Sequence, residues 1–319
     1  MYTDIKVGYS CNNQCVHCVI EPIKNSLRQD QLGLDSDTST VKQFIDEAIE
    51  NGSTGIVLTG GGITIRSDFS ELVNYAQERD LNVTVQTNAR ILRDKEKIDF
   101  LKDGPKIQFV VAVHGSEKHI HDVITRIPNS FSQTMAAIDN LLEHQNIRIV
   151  AKVVISKINI ENLLDTMKML SQKKINDVVL AFPHAEDFPL DVFESVVPRY
   201  NELAPYLEKA LTFVEKKNIN ITLETIPYCV LNDRPEFWKY SQDIHYCGDQ
   251  NLESAFIRST GDSELKKWNV LRPNIKSKGA ICSACLLEKI CEGPWKEYID
   301  YFGESELIAI DNPDAINYF

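Results

Sequence analysis

The sequence predicts an α/β fold, a partial (β/α)6 TIM-type barrel followed by a small C-terminal domain. Three observations predict it. Short apolar strand patterns alternate with amphipathic helix patterns from residue 4 to about 217, the rhythm of a parallel sheet. The alternation gives six strand–helix repeats, too few to close an eight-fold barrel. After residue 218 the rhythm breaks, and prolines and five of the eight cysteines take its place.

The elements follow in order. Asp4 to Tyr9 reads as the first strand. Thr38 to Glu50 reads as a helix, with Val41, Phe44, Ile45 and Ala48 at helical spacing on one face. Gly55 to Thr59 is a short apolar strand that runs into Gly60-Gly61-Gly62. Phe69 to Arg79 is a helix, Asn82 to Gln86 an alternating strand and Ile107 to Val113 a buried strand. A helix over Ser132 to His144 leads to a strand over Ile147 to Ile155. Ile160 to Ser171 carries Leu163, Leu164, Met167 and Leu170 at core spacing, and Asp177 to Phe182 is the sixth strand. Pro198 marks the start of a long helix over Arg199 to Lys217. Strand-like sequence at Ile219 to Thr225 opens the second region. The expected domains are therefore 1–217 and 218–319. Polar groups gather where strands end, the face on which barrel enzymes place their chemistry.

Composition narrows the class. Hydrophobic residues make up 43% and charged residues 25% of 319, which excludes disordered, collagen-like and coiled-coil chains. No apolar run approaches the roughly 18 residues of a membrane span, and the N-terminus has no signal-peptide pattern. A cytoplasmic protein with no membrane partner is expected. The net charge of -12 argues against a nucleic-acid partner. In a reducing compartment eight cysteines point to metal binding or catalysis, not to disulfides.

Cys11-Asn-Asn-Gln-Cys15-Val-His-Cys18 is a C-x3-C-x2-C run in the loop after the first strand. Three thiolates this close can converge on one metal centre. A [4Fe–4S] cluster takes one cysteine per iron, so three ligands leave one iron open. A zinc site wants a fourth ligand, and His17 is awkwardly placed to join Cys15 and Cys18. The spacing favours the cluster and keeps zinc as the alternative. His114, His119, His121 and Asp122 also invite a zinc reading. Their spacing fits better with His114 lining the pocket and the others on a polar helix. His184, Glu186 and Asp187, after the sixth strand, either face a substrate or form an ordinary polar loop.

The C-x3-C-x-Φ-C run, with His17 at the usually aromatic Φ, resembles the signature of the radical S-adenosylmethionine (radical SAM) family. The resemblance implies that the open iron chelates the amino and carboxylate groups of SAM. Reductive cleavage then gives methionine and a 5′-deoxyadenosyl radical that abstracts a substrate hydrogen. It also implies a reducing partner such as flavodoxin or ferredoxin. Gly60, Gly61 and Gly62 resemble the family's glycine-rich SAM motif, with Gly-Gly-Gly-Ile in place of Gly-Gly-Glu-Pro. Gln86 and Asn88 stand where polar family residues approach SAM. Ser116 and Arg126 resemble the pair that holds its ribose and carboxylate, a guanidinium being suited to bidentate carboxylate binding. Taken without the resemblance, the glycines fit a tight turn and Arg126 a solvated surface residue.

Cys282-Ser-Ala-Cys285-Leu-Leu-Glu-Lys-Ile-Cys291 is a C-x2-C-x5-C run. It resembles the auxiliary-cluster domains of radical SAM enzymes called SPASM and, in shortened form, twitch. Trp295 stands where the full SPASM pattern has a further cysteine. The resemblance therefore implies one auxiliary [4Fe–4S] cluster, with four ligands and one thiol to spare. One ligand set is Cys229, Cys282, Cys285 and Cys291, which leaves Cys247 free. The other uses Cys229, Cys247, Cys282 and Cys285 and frees Cys291. We prefer the first, with Cys247 as a catalytic hydrogen-atom donor of the kind that related peptide epimerases use; a buried, inert Cys247 is the bland alternative.

Such domains occur in maturases of ribosomally made peptides (RiPP maturases). The expected function is therefore peptide modification, by epimerisation or crosslinking. The alternatives are a small-molecule dehydrogenase or cofactor-pathway enzyme and a non-enzymatic zinc or iron–sulfur protein.

Overall fold

A computed structural model of the chain describes residues 1–102, 104–241, 256–259 and 266–313. Seven parallel strands form an α/β partial barrel with surrounding helices; the sequence predicts the partial barrel, with six strand–helix repeats. They are β1 (Tyr2–Lys6), β2 (Gly55–Thr59), β3 (Asn82–Thr87), β4 (Ile107–Ala112), β5 (Ile147–Val154), β6 (Asp177–Ala181) and β7 (Asn220–Glu224). The strand order is β7-β6-β5-β4-β3-β2-β1, continued at the β1 edge by β8 (Phe256–Ser259) and β9 (Lys266–Lys267).

The helices between strands are α1 (Glu21–Gln29), α2 (Thr38–Glu50), α3 (Phe69–Gln77), α4 (Lys118–Thr125), α5 (Ser130–Leu142), α6 (Leu163–Gln172), α7 (Leu190–Val196) and α8 (Tyr200–Lys217). Two more among the described residues are α9 (Trp268–Ile275) and α10 (Lys296–Phe302). Ile219–Thr225, expected to be strand-like, supplies β7, which pairs in parallel with β6.

The described chain divides into two compact units. The first takes residues 1–113, 117–151 and the described part of 251–269. Here Ile5, Leu58, Val85 and Phe109 lie in register on four neighbouring strands, and each is fully buried. The next residues along, Lys6, Thr59, Gln86 and Val110, point to the opposite face because strand side chains alternate. Thr59 Oγ1 donates to Gln86 Oε1 across that face at 3.2 Å. The helices cover the core row. Asp37 caps α2 by accepting the Thr40 N–H at 2.8 Å, and α2 buries Val41, Phe44, Ile45 and Ala48. Gly52, in the left-handed region at φ 83°, turns the chain back after α2.

The second unit takes residues 114–116, the described part of 152–250 and 270–313. It holds β6 and β7, the long helix α8 and the C-terminal cysteines. Glu202 accepts the Arg199 N–H at 3.0 Å and closes the start of α8; Asn218 ends it in the left-handed conformation. An aromatic cluster ties the C-terminal segment to α8. The Tyr200 and Tyr298 rings stack at 4.1 Å, and Phe182 packs on both.

Candidate functional site

The loop after β1 carries the three N-terminal thiols and is held by backbone hydrogen bonds. Gln14 N–H donates to Thr125 O at 3.0 Å and Val16 N–H to Ile124 O at 2.9 Å, which fixes the loop to the end of α4. Cys11, Cys15 and Cys18 are all half-buried. Burial pushes the Cys15 thiol up to about 12, and the neighbouring charges of Cys18 and Cys11 add to the shift. Burial likewise raises Cys18. Three thiols that repel one another's ionised forms in one loop are the donor set a cation would relieve, since metal binding displaces their protons. The residues therefore fit a [4Fe–4S] cluster ligated by three cysteines.

The glycine triplet after β2 lies against this loop. Gly61 N–H donates to Gly8 O at 2.8 Å and Gly62 N–H to Ser10 O at 2.6 Å. A Cβ on Gly61 would sit 2.2 Å from Ser10 O and 2.7 Å from the Tyr9 carbonyl carbon. A Cβ on Gly60, at φ 124°, would sit 2.2 Å from Gly8 O. Close approach of two backbones thus requires glycine at both positions. Gly61→Ala is expected to cost about 3 kcal/mol and to lower iron uptake at the neighbouring triad. Thermal unfolding and iron content check both.

The end of β3 meets the same loop. Asn88 Nδ2 donates to Asn12 Oδ1 at 2.7 Å and lies 3.6 Å from Cys11 Sγ. Gln86 is half-buried on the face opposite the core. Arg90, which the sequence reading did not single out, donates through Nε to Gln133 Oε1 at 2.7 Å. Its Nη1 reaches Asn13 Oδ1 at 2.8 Å and also donates to the Asn12 carbonyl.

Ser116 and Arg126 fall in different settings. Ser116 presents its N–H and Oγ to Asn162 Oδ1 at 2.8 and 3.1 Å. Arg126 is exposed, in a left-handed conformation at the end of α4. Each belongs to a different compact unit.

The histidines divide by burial. His119 is exposed, as expected on a polar helix. His121 is not: it is 1% exposed on the inward face of α4, beside the Phe131 ring. Burial brings its pKa down to about 4. Its folded value lies below its ordinary 6.5, so the neutral ring's stabilisation is complete above that pH. It is lost as pH falls toward 4, by roughly 3 kcal/mol in all. Denaturant unfolding from pH 7 to 4 should show this loss in the native protein, and a shallower slope in His121→Gln.

In the second unit, Cys229, Cys282, Cys285 and Cys291 line one cavity, with Leu287, Leu307 and Ile310 among the apolar walls. Cys229 arrives from the turn after β7, and the other three from the loop before α10. Burial raises the Cys229 and Cys282 thiols; Cys282 and Cys285 add to the first shift and Cys285 to the second. Ile310 N–H points at Cys285 Sγ at 3.4 Å. Four thiols around one enclosure, with an N–H aimed at a sulfur, fit an iron–sulfur cluster. Cys247 lies outside the described residues.

Trp295 stands where the resemblance would place another cysteine, and its place is structural. Its indole N–H donates to Phe182 O at 3.2 Å, and its ring stacks on His184 at 4.1 Å with Lys276 Nζ 3.8 Å from the ring centre. His184 Nε2 lies 3.8 Å from Glu297 and 3.9 Å from Glu186.

The family described as "Radical SAM superfamily" matches residues 5–183. An AdoMet-dependent heme synthase of Methanosarcina barkeri is 26% identical over 162 residues, 51% of this chain and 44% of that protein. The antilisterial bacteriocin subtilosin biosynthesis protein AlbA of Bacillus subtilis is 27% identical over 148 residues, 45% of this chain and 31% of that protein. The mycofactocin maturase MftC of Mycolicibacterium smegmatis is 28% identical over 158 residues, 50% of this chain and 38% of that protein. The matched region thus spans less than half the length of each relative. The fold resembles Streptococcus suis SuiB bound to precursor peptide SuiA, with a TM-score of 0.65 and 14% identity, over 98% of this chain and 75% of that one. It also resembles native anSMEcpe with bound AdoMet and Kp18Cys peptide, with a TM-score of 0.65 and 12% identity, over 100% and 96%. A family match that begins inside β1, takes in the three-cysteine loop and ends just past β6 covers more than half of the chain, and the protein belongs to the Radical SAM superfamily.

Proposed function

We propose that this radical SAM enzyme modifies a peptide and that its C-terminal unit holds an auxiliary [4Fe–4S] cluster. The observation that carries the reading is the convergence of Cys229, Cys282, Cys285 and Cys291 on one cavity. By its sequence, that second thiol set resembles the auxiliary-cluster domains that occur in peptide maturases. AlbA, MftC and SuiB, named for bacteriocin biosynthesis, for maturation and for a bound precursor peptide, support it.

In this reading Cys11, Cys15 and Cys18 hold the first cluster. When bound, that cluster and SAM supply reductive cleavage of SAM and a radical that takes a hydrogen atom from the substrate. Gly60, Gly61 and Gly62 keep the loop close to β2 and shape the space beside it. Gln86, Asn88 and Arg126 contact SAM. Cys229, Cys282, Cys285 and Cys291 hold the second cluster, and Cys247 returns a hydrogen atom to the peptide α-carbon. A flavodoxin- or ferredoxin-type protein delivers the reducing electron. The expected compartment is the cytoplasm; among the described residues no helix is long and apolar enough to cross a membrane.

The heme synthase relatives favour a second reading, a small-molecule substrate of tetrapyrrole type. The test incubates the iron-loaded, reduced protein with SAM in heavy water and a short peptide encoded beside its gene. Epimerisation leaves a deuterium at one α-carbon, which Cys247→Ala should prevent while SAM cleavage continues. A crosslink leaves the peptide lighter by a pair of hydrogens. A peptide that stays unchanged while a tetrapyrrole is converted would move the assignment to the second reading.

A further inference from the structure

We propose that Arg90 and Asn88 are positioning residues of the N-terminal cysteine loop and that they set the reduction potential of the cluster held there. The inference rests on the reading of Cys11, Cys15 and Cys18 as the SAM-binding cluster site, and concerns groups to which that reading gives no such task.

The short turn after β3 reaches three successive residues of the loop. Asn88 Nδ2 touches Cys11 Sγ at 3.6 Å and Asn12 Oδ1 at 2.7 Å. Arg90 donates to the Asn12 carbonyl and, at 2.8 Å, to Asn13 Oδ1. Asn13 in turn aims its backbone N–H at Cys11 Sγ at 3.4 Å. The two side chains are themselves fixed. Arg90 N–H donates to Asn88 Oδ1 at 3.1 Å, and Arg90 Nε is tied to Gln133 of α5 at 2.7 Å. Thr134 Oγ1 holds the Asn88 carbonyl at 3.2 Å. Ala89 between them is fully buried with φ at 58°, a conformation uncommon for a residue with a Cβ. The turn is therefore held in one shape, which aims both side chains at the loop.

The chemistry follows from charge. Reduction adds an electron to a centre already surrounded by thiolates. A guanidinium that stays protonated, and N–H dipoles aimed at sulfur, stabilise the reduced state more than the oxidised one. Removing either moves the potential to more negative values. Arg90 adds a geometric part that lysine does not replace, because only the planar fork reaches Asn12, Asn13 and Gln133 together.

The experiment is a redox titration of the iron-loaded protein in the presence of SAM. It follows the component of the electron paramagnetic resonance signal that SAM alters, so that a second cluster does not interfere. In Arg90→Gln the ratio of reduced to oxidised cluster at a fixed potential is expected to fall about tenfold, which is 59 mV for a single electron. Arg90→Lys should keep most of the potential and lose iron faster to a chelator. Asn88→Ala, which retains the guanidinium, should shift the potential in the same direction as Arg90→Gln by a smaller amount, and serves alone if Arg90→Gln does not load. A SAM-sensitive signal with the same potential in native protein, Arg90→Gln and Asn88→Ala would overturn the proposal. So would an Arg90→Lys shift equal to that of Arg90→Gln. A native signal indifferent to SAM would instead overturn the reading of the triad on which the proposal rests.

Discussion

Replacing Cys11, Cys15 and Cys18 together by Ala is expected to abolish SAM-dependent chemistry and to remove about half of the bound iron, roughly four of eight atoms in a protein loaded with two [4Fe–4S] clusters. The remaining iron should stay in the C-terminal unit, because its four cysteines belong to a separate compact unit of the fold. The variant should still fold. The loop is pinned by Gln14 and Val16 to the end of α4 and by Arg90 to Asn12 and Asn13, contacts in which no sulfur takes part. Iron and sulfide analysis with circular dichroism checks the expectation. Loss of all iron from the triple variant would mean that the two sites do not load independently.

Single Cys→Ser changes at Cys229, Cys282, Cys285 or Cys291 should destabilise the loaded C-terminal unit by several kcal/mol, since a structural metal centre contributes folding energy directly. Between residues 278 and 293 the only helical element is the short 3-10 turn Ala280–Ala284. The segment consists of short turns, with Gly293 at φ 79° packed on Ser277 O and Leu286 N–H donating to Ile310 O at 2.9 Å. At about 2–4 °C per kcal/mol the melting temperature should fall by roughly 10 °C. Limited proteolysis should cut between residues 278 and 293. Chelated native protein should behave like the variants. Cys291→Ser is the informative member, because the alternative ligand set would leave it unchanged.

Much of this was legible in the sequence, for identifiable reasons. The strand at 107–112 announces itself because its alternate residues are buried and the rest are only half-exposed. Helix α2 is legible because its apolar stripe, cap and terminal Gly52 agree. The N-terminal triad is legible because its ligands are local. Other features were hidden. Helix α1 buries only Lys24, so its polar sequence shows no core stripe. Its start at Glu21-Pro22 is the signal that could have found it. Arg90 is one arginine among many until the fold brings it to a loop nearly eighty residues upstream. His121 is polar by type and buried by position, because its place on α4 is shared with Ile124 and Thr125. The glycine triplet was legible as a motif, but its requirement for glycine comes from backbone contacts with residues 8–10 that spacing alone does not show. The grouping of Cys229 with three cysteines more than fifty residues later was likewise left open by spacing and emerges from their shared cavity.

The measurement that tests the central claim most directly is nucleoside release under anaerobic conditions. Protein loaded with iron and sulfide is reduced, mixed with SAM and assayed for 5′-deoxyadenosine, beside the Cys11→Ala, Cys15→Ala, Cys18→Ala variant. The account predicts nucleoside and methionine in equal amounts from the native protein and none from the variant. Zinc in place of iron, or a fully loaded native protein that releases no nucleoside with any peptide or tetrapyrrole offered, would contradict it.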